Sequence, residues 1–268
     1  MLDGGALDVV GRISEKRERV HILTGAVCNN NCIFCMEEDR DGRKVLNSQT
    51  DDAMVARILK ENTEAGSICE EICFTSGEPT TNRRLIAWVK MAKAAGVERI
   101  SVMTNGRALS YDKFTRGLVA AGMNRFYVSI HGHTQKLHES LVRTPGAFDQ
   151  TVAGIREVAK LRRYGVELHT STVLTKRNLP HLHDIYDFLR GLGVGQVVFN
   201  VMQANGRADT HFERISPRYP DIAAQAAHFA TAAQAASGAD EVPAVLIDLP
   251  PAPTAPLPAH TPPPPDAS

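Results

Sequence analysis

The stretch Cys28-Asn-Asn-Asn-Cys32-Ile-Phe-Cys35 places three cysteines within eight residues, directly after a predicted strand. Three thiolates can hold three irons of a 4Fe–4S cube and leave the fourth iron open for chemistry. The intervening asparagines suit a loop that wraps around a cluster, because Asn tolerates turns and left-handed backbone. The alternative is a structural zinc site, but zinc takes four ligands, usually from two paired motifs, and no second such pair follows. The spacing therefore favours iron–sulfur over zinc.

The other two cysteines, Cys69 and Cys73, do not complete a second triplet. Cys73 lies in a predicted strand and Cys69 just before it, so we expect Cys73 to be a buried core residue. An odd total of five cysteines, with no apolar leader before Arg19, does not fit a disulfide framework and predicts a cytoplasmic protein. The triplet is expected to be the only cluster site in the chain.

Composition narrows the classes of function. The chain has 268 residues, with 30 basic and 30 acidic side chains and a formal net charge of zero. A neutral chain is a poor binder of nucleic-acid phosphates, so we expect no nucleic-acid partner. No apolar run is long enough to span a bilayer, so no membrane partner is expected either.

Predicted strands and helices alternate along the chain. The predicted strands are 19–24, 72–75, 99–103, 125–130, 166–174 and 196–201, and the predicted helices are 48–65, 83–95, 111–121, 148–164, 179–192 and 220–236. Regular alternation predicts an α/β fold with parallel strands, either a partial six-stranded parallel (β/α)6 barrel, TIM-barrel-like, or a doubly wound sheet. We divide the chain into an N-terminal extension (1–18), a core domain (19–237) and a disordered Pro-rich C-terminal tail (238–268).

Polar motifs follow the first four strands, at the edge of the sheet where ligands bind in such folds. After the cysteine loop come Ser76-Gly-Glu-Pro79, Thr104-Asn-Gly106 and His131-Gly132. Gly77 permits close approach of the backbone to a ligand, and Glu78 can accept hydrogen bonds from an ammonium group. The motifs are therefore expected to converge on one site.

Together, Cys28-x3-Cys32-x-Phe34-Cys35 and Gly77-Glu78-Pro79 resemble the radical S-adenosylmethionine (SAM) enzyme superfamily, over about Val20 to Ala208. The resemblance implies the partial barrel and a 4Fe–4S cluster on the three cysteines. It also implies that the open iron chelates SAM and that an external low-potential electron donor of the flavodoxin or ferredoxin type reduces the cluster. The substrate class implied is a peptide or a small molecule.

The same resemblance implies which other residues bind SAM. Phe34 is expected near the adenine, and Gly77 and Glu78 at the methionyl ammonium. The remaining expected contacts, to ribose, carboxylate or adenine, are Asn105, Ser129, Arg143 and Gly206. No acid–base catalytic residue can be named.

The chain departs from the pattern of the family at two places. Ser76 stands where glycine is commoner, which is tolerated if its backbone angles are ordinary, and His131 stands where many relatives have aspartate. His131 either touches substrate or is a hydrogen-bonded loop residue, whereas His133, His138, His181 and His183 are expected at the surface.

Three functions compete on the sequence. The first is a radical enzyme acting on a peptide or small metabolite. The second is a cofactor-biosynthesis enzyme like the first enzyme of the molybdenum-cofactor pathway, although that type carries a second cysteine triplet. The third is a non-catalytic iron–sulfur or zinc binding protein.

Overall fold

A computed structural model of the chain describes residues 17–36, 50–64, 69–235 and 244–247. The strands are β1 (Arg17–Leu23), β2 (Cys69–Thr75), β3 (Arg99–Thr104), β4 (Arg125–Ser129), β5 (Glu167–Val173), β6 (Gln196–Asn200) and β7 (Ala244–Ile247). The helices are α1 (Asp52–Glu64), α2 (Leu85–Ala94), α3 (Asp112–Ala121), α4 (Gln135–Val142), α5 (Ala147–Leu161), α6 (Leu182–Gly191), α7 (Arg207–Thr210), α8 (Phe212–Ile215) and α9 (Tyr219–Ala235). Short 3-10 turns cover Pro79–Thr81, Arg107–Ser110, Arg162–Tyr164 and Leu179–His181.

The seven strands form one parallel sheet in the order of the chain. This confirms the six predicted parallel strands. The structure adds β7, which pairs with β6 from Val197↔Ala244 to Asn200↔Ile247. That strand lies inside the segment 238–268 that we assigned to the tail. The Pro-rich part of the tail and most of the N-terminal extension lie outside the described residues.

Contacts across the inner face show that the sheet curves into a partial barrel. Three strand spacings separate β1 from β4, which is about 14 Å in a flat sheet. Nevertheless Arg19 on β1 stacks on the Tyr127 ring of β4, with 4.5 Å from the guanidinium carbon to the ring centre. Glu71 on β2 likewise contacts Arg125 on β4, at 2.7 Å. Only a strongly curved sheet brings these side chains together.

The outer face of the sheet forms the hydrophobic core with the helices. Ile72, Phe74, Ile100, Val102 and Phe126 point outward at alternate strand positions and are completely buried. Each such side chain contributes roughly 1.5–3 kcal/mol when buried. The barrel is therefore held mainly by packing of helices against strands, and its inner face is left for polar residues.

Two predicted helix boundaries differ from the structure for local reasons. The first helix was expected from Ser48, but α1 begins at Asp52, and the Asp51 carboxylate caps it by accepting from the Met54 N–H at 2.8 Å. No helix was predicted between 121 and 148, yet the segment after β4 contains α4. Thr134 caps α4, with its hydroxyl accepting from the Leu137 N–H at 3.3 Å.

Among the described helices, none has the length and apolar content needed to cross a membrane.

Candidate cluster and cofactor site

The cysteine loop is built onto the end of α4. The Asn31 N–H donates to the Val142 carbonyl at 3.0 Å, and the Ile33 N–H donates to the Leu141 carbonyl at 3.0 Å. These are carbonyl groups that the last turn of a helix leaves without partners inside the helix. The helix that sequence reasoning missed therefore provides the platform for the loop.

Two arginines that sequence reasoning did not single out hold the loop from other sides. Arg107, after β3, donates to the Asn30 side-chain oxygen at 3.0 Å and to the Asn29 carbonyl. Arg207, on α7, donates to the Cys32 carbonyl at 3.3 Å and to Asn31. Two guanidinium groups thus fix the backbone of the loop that carries the three cysteines. Their only sequence signal was their position shortly after strands.

The three cysteines have the chemistry that a 4Fe–4S cluster requires. Cys28, Cys32 and Cys35 are each partly exposed and form no disulfide. The Asn30 N–H donates to the Cys28 sulfur at 3.4 Å, the kind of bond that tunes sulfur ligands of iron–sulfur sites. Three accessible sulfur ligands fit such a cluster, and a cluster held by these three thiolates would have one iron without a protein thiolate.

The other two cysteines are buried, as predicted for Cys73. Cys73 is completely buried and Cys69 is 4% exposed. Burial raises the pKa of the Cys73 thiol to about 11, so it stays protonated and unreactive. Neither residue is positioned as a further ligand of the loop.

The Gly77-Glu78 turn packs against the chain just before Cys28. A Cβ atom at Gly77 would lie 2.3 Å from the Gly25 carbonyl oxygen and 2.6 Å from that of Val27, and its φ is +53°. The Glu78 N–H donates to the Val27 carbonyl at 2.8 Å. Glycine is therefore required at position 77 for protein packing alone, before any ligand is considered.

Ser76 does not have the ordinary backbone angles that we expected. Its φ is +75°, in the left-handed region that favours glycine. The preceding strand and the clamped Gly77 impose this conformation. The position thus explains physically why glycine is commoner there in the resembling family.

The buried Glu78 carboxylate accepts hydrogen bonds from the turn after β2 and from the turn after β3. Its Oε1 accepts from the hydroxyls of Thr104 at 2.5 Å and Thr80 at 2.6 Å, while Oε2 accepts from the Asn105 N–H at 2.6 Å. Burial raises the pKa of the Glu78 carboxyl, and the hydrogen bonds from Thr104 and Thr80 act against that shift. Each carboxylate oxygen offers about two lone pairs, so Oε2 keeps room for one more donor.

Asn105 connects the turn after β3 to the cysteine loop. Its side-chain NH2 donates to the Asn29 side-chain oxygen at 2.6 Å, and its own oxygen accepts from the Arg107 N–H at 3.1 Å. Gly206 has φ 60° and ψ −134°, a combination nearly restricted to glycine, and it directs the chain into α7. Asn105 therefore contacts the cysteine loop directly, and Gly206 shortly precedes Ala208, whose N–H donates to the Cys35 carbonyl at 3.3 Å.

Phe34 is packed in a small apolar cluster between the cysteine loop and the last part of the barrel. The cluster consists of Phe34, Leu141, Met202, Ala208 and Ile215. The Phe34 ring meets the His131 ring edge-on, with 4.6 Å between centroids. An adenine bound near Phe34 would therefore contact apolar side chains.

His131 has the position of a hydrogen-bonded loop residue. It is 4% exposed, and its Nδ1 accepts from the Val173 N–H at 3.2 Å. Burial, followed by the neighbouring His138, holds the pKa of His131 well below its usual value, so the ring is neutral. The expectation that His138 lies at the surface is wrong: it is 1% exposed because α4 turns it inward, where its Nδ1 accepts from the His131 N–H at 3.1 Å.

Arg143 is exposed and lines a surface cavity of about 380 Å³ beside the cysteine loop. The cavity is lined by Ile33, Ser140, Arg143, Lys176, Arg177, Arg214 and Ile215. We call its four cationic residues, Arg143, Lys176, Arg177 and Arg214, the basic groove. Within the described part of the chain, no carboxylate lies within 4.0 Å of these four cations.

The inner face of the barrel near the strand ends carries uncharged polar side chains. The Thr75 hydroxyl lies 3.8 Å from the Met103 sulfur, and the Asn200 side-chain NH2 donates to the Ser171 hydroxyl at 2.6 Å. Ser129 lies beside Ser171 in the register of β4 and β5. These residues surround the region below the cysteine loop with hydrogen-bonding groups and no net charge.

Comparisons with known proteins agree with this fold and show the family. The sequence model of the Radical SAM superfamily matches residues 22–189. A probable GTP 3′,8-cyclase of Sulfurisphaera tokodaii is 28% identical over 205 residues, covering 76% of this chain and 62% of that protein. The chain thus spans less than two thirds of this relative.

Two solved structures share the fold at low identity. Streptococcus suis SuiB bound to S-adenosylmethionine superposes with a TM-score of 0.65 and 14% identity, over 86% of this chain and 50% of SuiB. The structure of anSMEcpe with bound AdoMet and the Cp18Cys peptide gives a TM-score of 0.62 and 17% identity, over 84% of this chain and 62% of that one.

The chain belongs to the Radical SAM superfamily and is an enzyme of that class.

Proposed function

We propose that this enzyme uses one 4Fe–4S cluster, held by Cys28, Cys32 and Cys35, to cleave SAM reductively and to abstract hydrogen from a peptide or small-metabolite substrate. The observation that carries the proposal is the cysteine loop. It presents three partly exposed sulfurs at the carboxyl end of the barrel, between two arginines and next to the Gly77-Glu78 turn.

Cys28, Cys32 and Cys35 would hold the cluster, which, when bound and reduced, would supply the electron for reductive cleavage of the C5′–S bond of SAM. The chain's own residues position the reactants and exclude water. Glu78 has room on Oε2 for one donor from the SAM ammonium, and Phe34 offers an apolar surface to adenine. Asn105, Ser129, Arg143 and Gly206 remain proposed SAM contacts.

The substrate is proposed to bind in the barrel against the uncharged polar side chains of the inner face. Hydrogen-bonding groups without net charge suit amide, hydroxyl or nucleobase groups. A second candidate is a nucleotide reaction of the GTP 3′,8-cyclase type, which the 28% identical relative favours.

The external electron donor is proposed to dock on the basic groove. Ile33, between two of the proposed cluster ligands, lines the same cavity as the four cations. An acidic flavodoxin- or ferredoxin-type protein bound there would lie next to the cluster loop, and opposite charges would speed its association. Cluster chemistry of this kind fits the reducing cytoplasm.

The proposal is tested by anaerobic reconstitution with iron and sulfide, followed by incubation with SAM and dithionite. The wild type should produce 5′-deoxyadenosine, detected by mass spectrometry, and Cys32→Ala should not. Cys69→Ala, a cysteine outside the loop, is the matched control and should retain the activity. In a parallel reaction with added GTP, consumption of GTP would favour the nucleotide candidate. Tight binding of zinc without iron would contradict the proposal.

A further inference from the structure

A second set of metal-ligating side chains lies away from the cysteine loop. His133 follows β4, and His181 and Asp184 lie at the start of α6. Each offers one ligand atom, and within the described residues these atoms all lie within 4.8 Å of one another. The proposed radical chemistry uses none of the three.

The three ligand atoms converge on one small volume. The Asp184 Oδ2 lies 3.1 Å from the His181 Nδ1 and 3.9 Å from the His133 Nε2. The two imidazole rings lie 5.3 Å apart and are inclined by 51°, so they do not stack on each other. Their nitrogens lie near the same carboxylate oxygen, and the two histidines come from different segments, one after β4 and one after β5.

These separations match the coordination shell of a small divalent cation. Zinc–nitrogen and zinc–oxygen bonds of about 2.0–2.2 Å in tetrahedral geometry place the ligand atoms about 3.4 Å apart. The two observed distances lie on either side of that value. These two pairs would need adjustments of about half an ångström or less to hold a cation, and the ligand atoms of His133 and His181 lie within 4.8 Å of each other, so rotation of the exposed side chains would close the site.

We propose that His133, His181 and Asp184 bind a divalent cation of the zinc class. Two imidazoles and one carboxylate are ligands that zinc prefers, and three protein ligands leave a fourth position for water. The three side chains are 24%, 44% and 57% exposed, in that order, so solution metal reaches the site without unfolding.

The bound cation would cross-link the segments that follow β4 and β5. On the barrel side, the Asn178 side-chain NH2 already joins them by donating to the His131 carbonyl at 3.1 Å and the Val173 carbonyl at 2.9 Å. His133 lies two residues beyond His131, and His181 three residues beyond Asn178. Metal binding would add a second connection between these two segments. It would thereby stabilise the loop that contains His131, against which the Phe34 ring packs.

The test is a zinc titration of the full-length, tag-free protein whose iron–sulfur cluster has first been reconstituted. We expect one zinc ion per chain in addition to iron, measured by elemental analysis after dialysis, and a rise in Tm on zinc addition. Asp184→Asn and His181→Ala should weaken zinc binding at least about 10–100-fold, which is the loss seen even for residues that only support ligands.

Asp187→Asn is the matched control, because Asp187 is exposed on the same helix and lies outside the triad. It should bind zinc as the wild type does. Absence of additional zinc in the wild type, or equal zinc binding by Asp184→Asn and Asp187→Asn, would overturn the proposal. The variants alter exposed side chains, and their Tm without zinc checks that they fold.

Discussion

At the scale of single residues, two non-glycine residues in the described part of the chain have left-handed backbone, and both flank the candidate cofactor site. Ser76 has φ +75° in the turn after β2, and Arg143 has φ +52° at the end of α4. The left-handed conformation costs about 1–2 kcal/mol for a residue with a Cβ atom. The surrounding fold therefore imposes these conformations, and the strain is concentrated where the cysteine loop is held.

Replacing Ser76 with glycine should relieve one of these strains. Glycine adopts positive φ freely but loses more conformational entropy on folding, so we expect a net gain in the free energy of unfolding of about 0.5–1 kcal/mol. Urea denaturation measures this gain as a higher midpoint at an unchanged m-value. Ser76→Ala keeps the Cβ and should give no gain; a Ser76→Gly protein no more stable than the wild type would contradict the assigned backbone.

The pH dependence of the free energy of unfolding should show that His138, which packs beside His131, is buried as a neutral ring. Burial lowers the pKa of His138 from 6.5 to about 4, partly opposed by the nearby Glu139 carboxylate. The unfolded chain takes up the proton first as pH falls, so stability is complete above pH 6.5 and is lost progressively between about pH 6.5 and 4. This one group accounts for a loss of about 3 kcal/mol across that window.

The measurement is the free energy of unfolding from urea curves at several pH values. His138→Gln keeps an acceptor for the His131 N–H but cannot titrate. Between pH 6.5 and 4 its stability should therefore fall by about 3 kcal/mol less than that of the wild type, while the buried His131 still contributes a loss of its own. Parallel pH profiles for the variant and the wild type would show that His138 is not buried as a neutral ring.

Residues carried by local motifs could be predicted from the sequence, and residues defined only by tertiary contacts could not. The cysteine triplet, Gly77 and the buried Cys73 were recognisable from spacing and strand position. Arg107 and Arg207 were not, because an arginine in a loop looks the same whether it faces solvent or the cysteine loop. The left-handed backbone of Ser76 could not be predicted either, because it is set by the packing of Gly77 against Val27.

At the scale of elements, the sequence predicted the six strands but missed α4 and β7. Between Gly132 and Pro145 the turn-forming residues dominated the pattern, although Thr134 caps a helix whose apolar side packs inward. The four residues of β7 lie between the Ala-rich helix α9 and a Pro-rich segment, and neither neighbour has a sequence pattern that indicates a strand. Short elements of this kind depend on pairing and burial more than on local propensity.

The inner face near the amino ends of the strands is held by a buried ion network centred on Glu71. This side chain is 2% exposed; it accepts from the Ser101 hydroxyl at 2.5 Å and pairs with Arg19 at 3.0 Å and Arg125 at 2.7 Å. Because the network joins β1, β2, β3 and β4, it stabilises the curvature of the sheet.

Glu71→Gln should lower the free energy of unfolding by about 3 kcal/mol, because it leaves partly buried guanidinium groups without their shared carboxylate. Glu70→Gln is the matched control on the same strand. Its carboxylate is 48% exposed and lies 3.7 Å from Arg99, so its loss should change stability by less than about 1 kcal/mol. Equal effects of the two substitutions in urea denaturation would show that the network does not hold the barrel.

At the scale of the whole molecule, the two ends of the barrel have different roles. The amino ends of the strands are closed by the Glu71 network, and the carboxyl ends carry the cysteine loop and the polar inner face. The chain has no net charge, yet the basic groove concentrates four cations beside the loop. Charge is thus localised where the proposed electron donor would bind.

Reversing charge in the basic groove should slow reduction by an acidic protein donor. Lys176→Glu combined with Arg177→Glu should lower the rate of cluster reduction by flavodoxin at least several-fold at low salt, with a smaller difference at high salt because ions screen the attraction. Stopped-flow absorbance measures the rate. Reduction by dithionite is the control and should be unchanged; an unaltered flavodoxin rate would rule out docking on the groove.

The central claim is that Cys28, Cys32 and Cys35 hold a cluster whose open iron binds SAM. The most direct measurement is electron paramagnetic resonance of the anaerobically reconstituted, dithionite-reduced protein, recorded with and without SAM. The account predicts about four irons per chain and a reduced-cluster signal that changes on SAM addition. A signal that SAM leaves unchanged, or a protein that retains zinc and no iron at these cysteines, would contradict it.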